Sequence, residues 1–303
     1  LCITSTGLIK KNEHFGALPE HKQFFMRRIV MSYKKISILV LMLFLISSAS
    51  AQNNWTNATG NGSWMDPNNW SEGVVPGPGT SNTRINPDTN LDPNNPIGPT
   101  IGPGDLATTD AADVWGPEFG AISINIAGGS YTSPALVGMV SVGSDPNASP
   151  SINLGADGSG GWMDVINFLV GHSWWWTGGP YTTYNQWSGT AIIRDSLWLG
   201  GKMNLYGGTM YVFNGLVMAT DVQTPDICKL NIEQGMLMLP LLSAADNPDT
   251  PDVDESVSYT TTVEAWIADG YCVAYGGTGE IVIEETANWT KVTAIPEQLP
   301  APE

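Results

Sequence analysis

An eight-residue pattern recurs along this chain and restricts the folds open to it. Ile124-Asn125-Ile126-Ala127-Gly128-Gly129-Ser130-Tyr131 aligns with Met203-Asn204-Leu205-Tyr206-Gly207-Gly208-Thr209-Met210 and with Leu230-Asn231-Ile232-Glu233-Gln234-Gly235-Met236-Leu237. The template is apolar, Asn, apolar, two variable residues, Gly, one variable residue, apolar. A partial copy sits at Ile152-Asn153-Leu154, a weaker one is centred on Trp175, and Val273-Ala274-Tyr275-Gly276-Gly277 ends the series. The central positions 125, 153, 175, 204 and 231 are 28, 22, 29 and 27 residues apart.

Such a period suits one coil of a β-solenoid. Hairpins in a β-sandwich recur at about 8–12 residues. Side chains alternate along a strand, so the two apolar residues flanking each Asn point inward together and the Asn points outward. The glycines supply the positive φ that a sharp corner needs. Stacked coils bring equivalent strands about 4.8 Å apart, so Asn125, Asn153, Asn204 and Asn231 are expected to form an outer amide ladder. The expected architecture is all-β, a parallel β-solenoid over residues 122–295. The alternative is a β-sandwich with coincidental Gly-Gly turns. Residues 52–121, rich in Trp, Gly, Pro and Asn, form an irregular segment expected to pack over one end.

Met31, Lys34 and Lys35 precede an apolar run over 36–46 and the Ala49-Ser50-Ala51 site. This is the order of a secretory signal peptide over 31–51, with cleavage between Ala51 and Gln52. A run of about 11 residues is shorter than the roughly 20 that a spanning helix needs, so no membrane span is expected in the mature chain. Residues 1–30 read as a spurious upstream extension and the Pro-rich 296–303 as a linker or truncated tail.

Residues 52–303 hold five of the 12 basic residues and 27 of the 29 acidic ones, a net charge of −22. That charge repels nucleic acid and anionic lipid. Cys228, Cys272 and His172 are too few for a Cys/His zinc site. The cysteines lie 44 residues apart; removing an acidic excursion over 243–258 leaves one coil, so a Cys228–Cys272 disulfide is expected in an oxidising compartment. The carboxylates from Asp246 to Glu255 lack the fixed spacing of an EF-hand. They read as a solvated loop, with calcium the one metal considered; no other cofactor is expected.

Parallel β-helices also carry polysaccharide-cleaving sites, and the carboxylates and cations of the middle coils bear on that chemistry. A glycosidase needs two carboxylates about 5–10 Å apart, and Asp164 and Asp195 are the conceivable pair. A lyase needs a cation against a uronate, and Arg194 and Lys202 are the nearby choices. No sequence feature pairs these groups, and no catalytic residues are assigned. Trp174, Trp175 and Trp176, with Trp187, form the densest aromatic cluster, a candidate stacking platform for sugar rings or else core and loop packing.

Trp55, Gly60, Gly62, Trp64, Asn69-Trp70, Gly73 and Pro76, followed by the Leu-Asn-Ile-x-Gly-Gly-Thr-type turn at 204–209, resemble large secreted proteins of planctomycete-type bacteria. Residues 292–297 are similar to the start of a PEP-CTERM sorting tail, although the tail itself is missing. The resemblance implies a right-handed parallel β-helix of the kind seen in autotransporter passengers, and no established activity. The functional expectation is a non-enzymatic extracellular or cell-surface component with a structural, matrix or adhesion role. The alternative is a β-helix that binds or degrades polysaccharide. Its partners would be extracellular polysaccharide or other surface proteins, in no assigned oligomeric state. Protein recovered from the medium of producing cells is expected to begin at Gln52 on N-terminal sequencing. A start at Met31, with the apolar run retained, overturns the signal-peptide reading.

Overall fold

Alternation inside each repeat and pairing between repeats build the fold. The computed structural model describes residues 53–78, 83–85, 98–110, 112–116, 122–141, 150–156, 158–171, 182–220, 223–241 and 259–297. The proposed extension, signal peptide and tail lie outside those residues. So do Ala51, Gln52, His172, Trp174, Trp175, Trp176 and the Asp246–Glu255 loop.

The first strands are β1 (Asn53–Asn54), β2 (Thr83–Ile85), β3 (Thr100–Ile101), β4 (Leu106–Thr108) and β5 (Ala112–Gly116). The next are β6 (Ser123–Ile126), β7 (Ser130–Ser141), β8 (Ser151–Leu154), β9 (Trp162–Val170), β10 (Thr183–Gln186), β11 (Thr190–Ile193) and β12 (Ser196–Leu199). They are followed by β13 (Lys202–Leu205), β14 (Thr209–Val212), β15 (Gly215–Met218), β16 (Lys229–Ile232) and β17 (Met236–Pro240). After helix α1 (Tyr259–Ala268) come β18 (Cys272–Ala274), β19 (Glu280–Glu285) and β20 (Trp289–Ile295).

One sheet has the order β3-β6-β8-β10-β13-β16-β18, and every neighbouring pair in it is parallel. The other runs β1-β2-β5-β7-β9-β11-β14-β17-β20-β19. It too is parallel until the β17–β20 and β19–β20 pairs, which are antiparallel. A sandwich would require antiparallel neighbours throughout. The protein is therefore a parallel β-solenoid. Strands β1 to β5 already belong to these sheets, so parallel pairing starts upstream of Ile122.

Burial follows the alternation. In β6, β8, β10, β11, β12 and β14, half-buried and buried positions alternate. The register stacks Ile101, Ile126, Leu154, Gln186, Leu205 and Ile232 into one inward column. Gln186 is the exception in an otherwise aliphatic column, and its hydrogen bonds explain why it is tolerated. The Tyr184 hydroxyl donates to its Oε1 at 3.0 Å, and its Nε2 donates to the carbonyls of Gly189 (3.2 Å) and Thr209 (3.1 Å). A buried amide with its groups partnered avoids the cost of an unmade bond. This coil corrects the sequence expectation: its centre is Asn185, not Trp175, because Tyr-Asn-Gln does not read as an apolar-Asn-apolar strand.

Each coil turns from the first sheet to the second at a glycine. Gly189 and Gly208 have φ of 82° and 75°. A Cβ on Gly208 would collide with the Gly189 carbonyl oxygen one coil away. These positions need glycine for conformation and for close approach alike.

The β3 edge is occupied by the segment around Trp64. Thr100 N donates to Gly62 O at 2.8 Å and Trp64 N to Thr100 O at 3.0 Å. Trp70 meets Trp55 and Trp64 edge-to-face at 5.0 and 4.9 Å, and Trp64 meets Tyr131 at 5.8 Å. Buried Asn69 accepts from Thr59 N and Oγ1 and donates to Asn61 Oδ1 and Ser63 O, which fixes the loop carrying these rings. At the other end, α1 buries Val263 and Trp266.

Cys228 and Cys272 are separate buried thiols, which corrects the expected disulfide. Cys272 pairs in register with Leu230, so Cys228 lies two residues back on the neighbouring strand. Strand spacing and rise place such diagonal positions about 8 Å apart, beyond the roughly 7 Å limit for a bridge. The Cys228 thiol donates to Leu199 O at 3.1 Å instead. Burial pushes the Cys228 thiol up to about 11 and the Cys272 thiol up to about 12, from an ordinary 9.0. Below pH 9 both states keep neutral thiols. Above it the unfolded chain ionises first, so stability contributed by these thiols falls as pH rises from about 9 towards 12. Folded protein at pH 8 is expected to resist a thiol reagent, whereas unreduced, denatured protein should label at both Cys228 and Cys272. No labelling of either cysteine after denaturation would restore the disulfide.

Candidate functional site: the outer face of the first sheet

The outward positions of the first sheet form ranks, because the parallel register repeats the same position in each coil. One rank is Ser123, Ser151, Thr183, Lys202 and Lys229. Ser151 Oγ donates to Ser123 Oγ at 3.1 Å.

The next outward rank carries the amides. Asn153 Nδ2 donates to Asn125 Oδ1 at 2.9 Å, Asn185 Nδ2 to Asn153 Oδ1 at 3.0 Å, and Asn204 Nδ2 to Asn185 Oδ1 at 2.9 Å. Four coils are thus joined by a head-to-tail side-chain chain, and each bond adds about 1 kcal/mol. Two features differ from expectation. Asn185 belongs to the ladder. Asn231 pairs in register with Asn204, but its Nδ2 turns to Glu233 Oε1 at 3.3 Å and its Oδ1 accepts from Gly276 N at 2.9 Å. The Glu233 carboxylate takes the Nδ2 that would have donated to Asn204, and this ends the chain, while the next coil's backbone occupies Oδ1.

The strands β10 and β13 run into the corner through Trp187 and Tyr206. Their rings stack at 5.3 Å with planes 28° apart, and Trp187 stays 38% exposed. Partial burial, then the nearby Glu233 carboxylate, raises the Tyr206 hydroxyl above its ordinary value. The sequence alone does not mark Tyr206, since only cross-coil register makes it a neighbour of Trp187.

Asp164, Arg194 and Asp195 lie on or beside the second sheet. Arg194 donates from Nε to Asp164 Oδ1 at 2.7 Å and from Nη2 to Oδ2 at 2.6 Å. This bidentate pair raises the Arg194 guanidinium further above its ordinary value. Asp195 Oδ1 accepts from Asn214 Nδ2 at 2.6 Å and Ser196 Oγ at 3.3 Å. Both Asp164 oxygens are engaged by a guanidinium one coil away, and Asp195 holds the adjoining turn. Lys202 sits on the other sheet, so the structure does not bring it together with Arg194 as a uronate clamp. Trp289 of the final hairpin packs edge-to-face on Tyr211 (5.5 Å) and Phe213 (5.1 Å), covering part of the second sheet.

Among the described residues, no group of three or more His, Cys, Asp or Glu side chains is arranged to hold a metal. None of their helices is long and apolar enough to cross a membrane. Fold and ranks together define a β-solenoid scaffold. Compared with known protein families, curated proteins and solved structures, the chain matches none.

Asn185 joins two ladder bonds and Asn125 one. Asn185→Ala should therefore cost about 1–2 kcal/mol in a urea-unfolding titration, and Asn125→Ala roughly half as much. Equal losses at both positions would show that the ladder contributes nothing as a chain.

Proposed function

We propose that the protein is a non-enzymatic extracellular or cell-surface scaffold, acting as a structural, matrix or adhesion component. The observation that carries this reading is the polar face of the in-register coils, which repeats the same kinds of side chain from coil to coil. The signal-peptide pattern over 31–51 supports an extracellular position. The engagement of Asp164 by Arg194 weakens the enzymatic alternative: a cleaving pair needs carboxyls directed at substrate, and this one is bound within the coil stack. Fold analogy to cleaving β-helices adds no weight by itself.

Carbohydrate binding without cleavage is the second reading, favoured by the exposed Trp187–Tyr206 stack. The scaffold reading is tested by fractionating producing cells and by incubating the purified protein with a panel of extracellular polysaccharides. The protein should occur in the surface and medium fractions, with polysaccharides left at their starting length. Release of reducing ends or unsaturated products, or confinement to the cytosol, overturns it.

A further inference from the structure

The face of the first sheet carries a charge arrangement opposite to that of the whole chain. Beyond residue 51 there are five basic residues against 27 acidic ones. Arg194 pairs with Asp164 and Lys291 with Glu284, and Arg84 is engaged as well. Lys202 and Lys229 have no ion-pair partner among the described residues. They stand directly in register on β13 and β16, about 4.8 Å apart at the backbone. Like charges at that spacing repel, and many carboxylates elsewhere could have neutralised them.

Their surroundings point to a ligand. The outward side chains of β6, β8, β10 and β13 are Ser123, Asn125, Ser151, Asn153, Thr183, Asn185, Lys202 and Asn204, with no acidic group among them. Along β13 and into the corner after it the order is cation, amide, aromatic: Lys202, Asn204, then Tyr206 beside Trp187. Two strand steps of two residues put the lysine and aromatic ranks about 13 Å apart.

From these ranks we propose that this face binds an anionic polysaccharide, with a carboxylate or sulfate group held by Lys202 and Lys229. Sugar hydroxyls meet the amide ladder, and one ring stacks its C–H face on Trp187 and Tyr206. This names the ligand class of the surface that the scaffold reading leaves open. Glu233, beside Tyr206, and Asp226, three residues before Lys229, mark the acidic border of the face. Carboxylates further off are screened over about 8 Å at physiological ionic strength. Nucleic acid is disfavoured: a duplex carries a charge about every 1.7 Å, and the −22 chain repels so dense a polyanion. An acidic polysaccharide spaces its charges between neutral hydroxyls that suit the amides.

The test is a titration of the full chain with polygalacturonate, dextran sulfate, neutral dextran and single-stranded DNA. At least one acidic polysaccharide should bind, the first alone marking carboxylate recognition and the second alone sulfate. Lys202→Ala/Lys229→Ala and Trp187→Ala should each weaken that binding by roughly tenfold, about 1.4 kcal/mol. Lys202→Arg/Lys229→Arg should retain it, and Lys291→Ala serves as the control. Circular dichroism of each variant separates lost binding from lost fold. Equal binding of neutral dextran or DNA, unchanged affinity in folded variants, or no binding of either acidic polymer overturns the proposal. Those results leave the scaffold reading intact, since it is judged by location and by the absence of cleavage.

Discussion

Parallel register between successive coils is the constraint on which the structure depends. A strand of four residues satisfies few of its own backbone groups, so each coil needs the next to pair with. Once the pairing is set, every side-chain position repeats at the strand spacing. Inward positions then become continuous columns and outward positions become ranks. The same register that buries Ile126, Leu154 and Leu205 together also aligns Asn125, Asn153, Asn185 and Asn204.

Such stacking amplifies both fit and misfit. A glycine at a corner must suit its own turn and also the coil above, as at Gly189 and Gly208. A polar residue in an inward column is acceptable only when its bonds are closed locally, as for Gln186 with Tyr184 and two carbonyls. The ends obey the same logic. Indole rings and the Asn69 network lie at one edge, and an antiparallel hairpin changes strand direction at the other. The first occupies the β3 edge, and the second ends the run of parallel pairing; an open parallel edge would template further coils.

Functionally, the two sheets differ in what they show to solvent. The second sheet pairs Arg194 with Asp164 and Lys291 with Glu284 and covers part of its face with Trp289. The first sheet leaves a polar plane with two lysines and a stacked aromatic pair. In the binding proposed above, successive units of a repeating polymer would meet successive coils without reordering the protein.

The amino-acid sequence by itself determined which way each side chain faces. Apolar residues around Asn125, Asn153 and Asn204 impose the two-residue period, and the interval between copies identifies a solenoid coil. Only the tertiary structure decided which residues become neighbours across coils. Excursions of unequal length separate the strands, so spacing misplaced one coil at Trp175 instead of Asn185. It also suggested a bridge between cysteines that stand on a diagonal, and it gave no sign that Asn231 would turn to Gly276 N or that Trp187 would stack on Tyr206. The physical reason is that facing follows from local backbone geometry, whereas register follows from how the whole stack closes its hydrogen bonds.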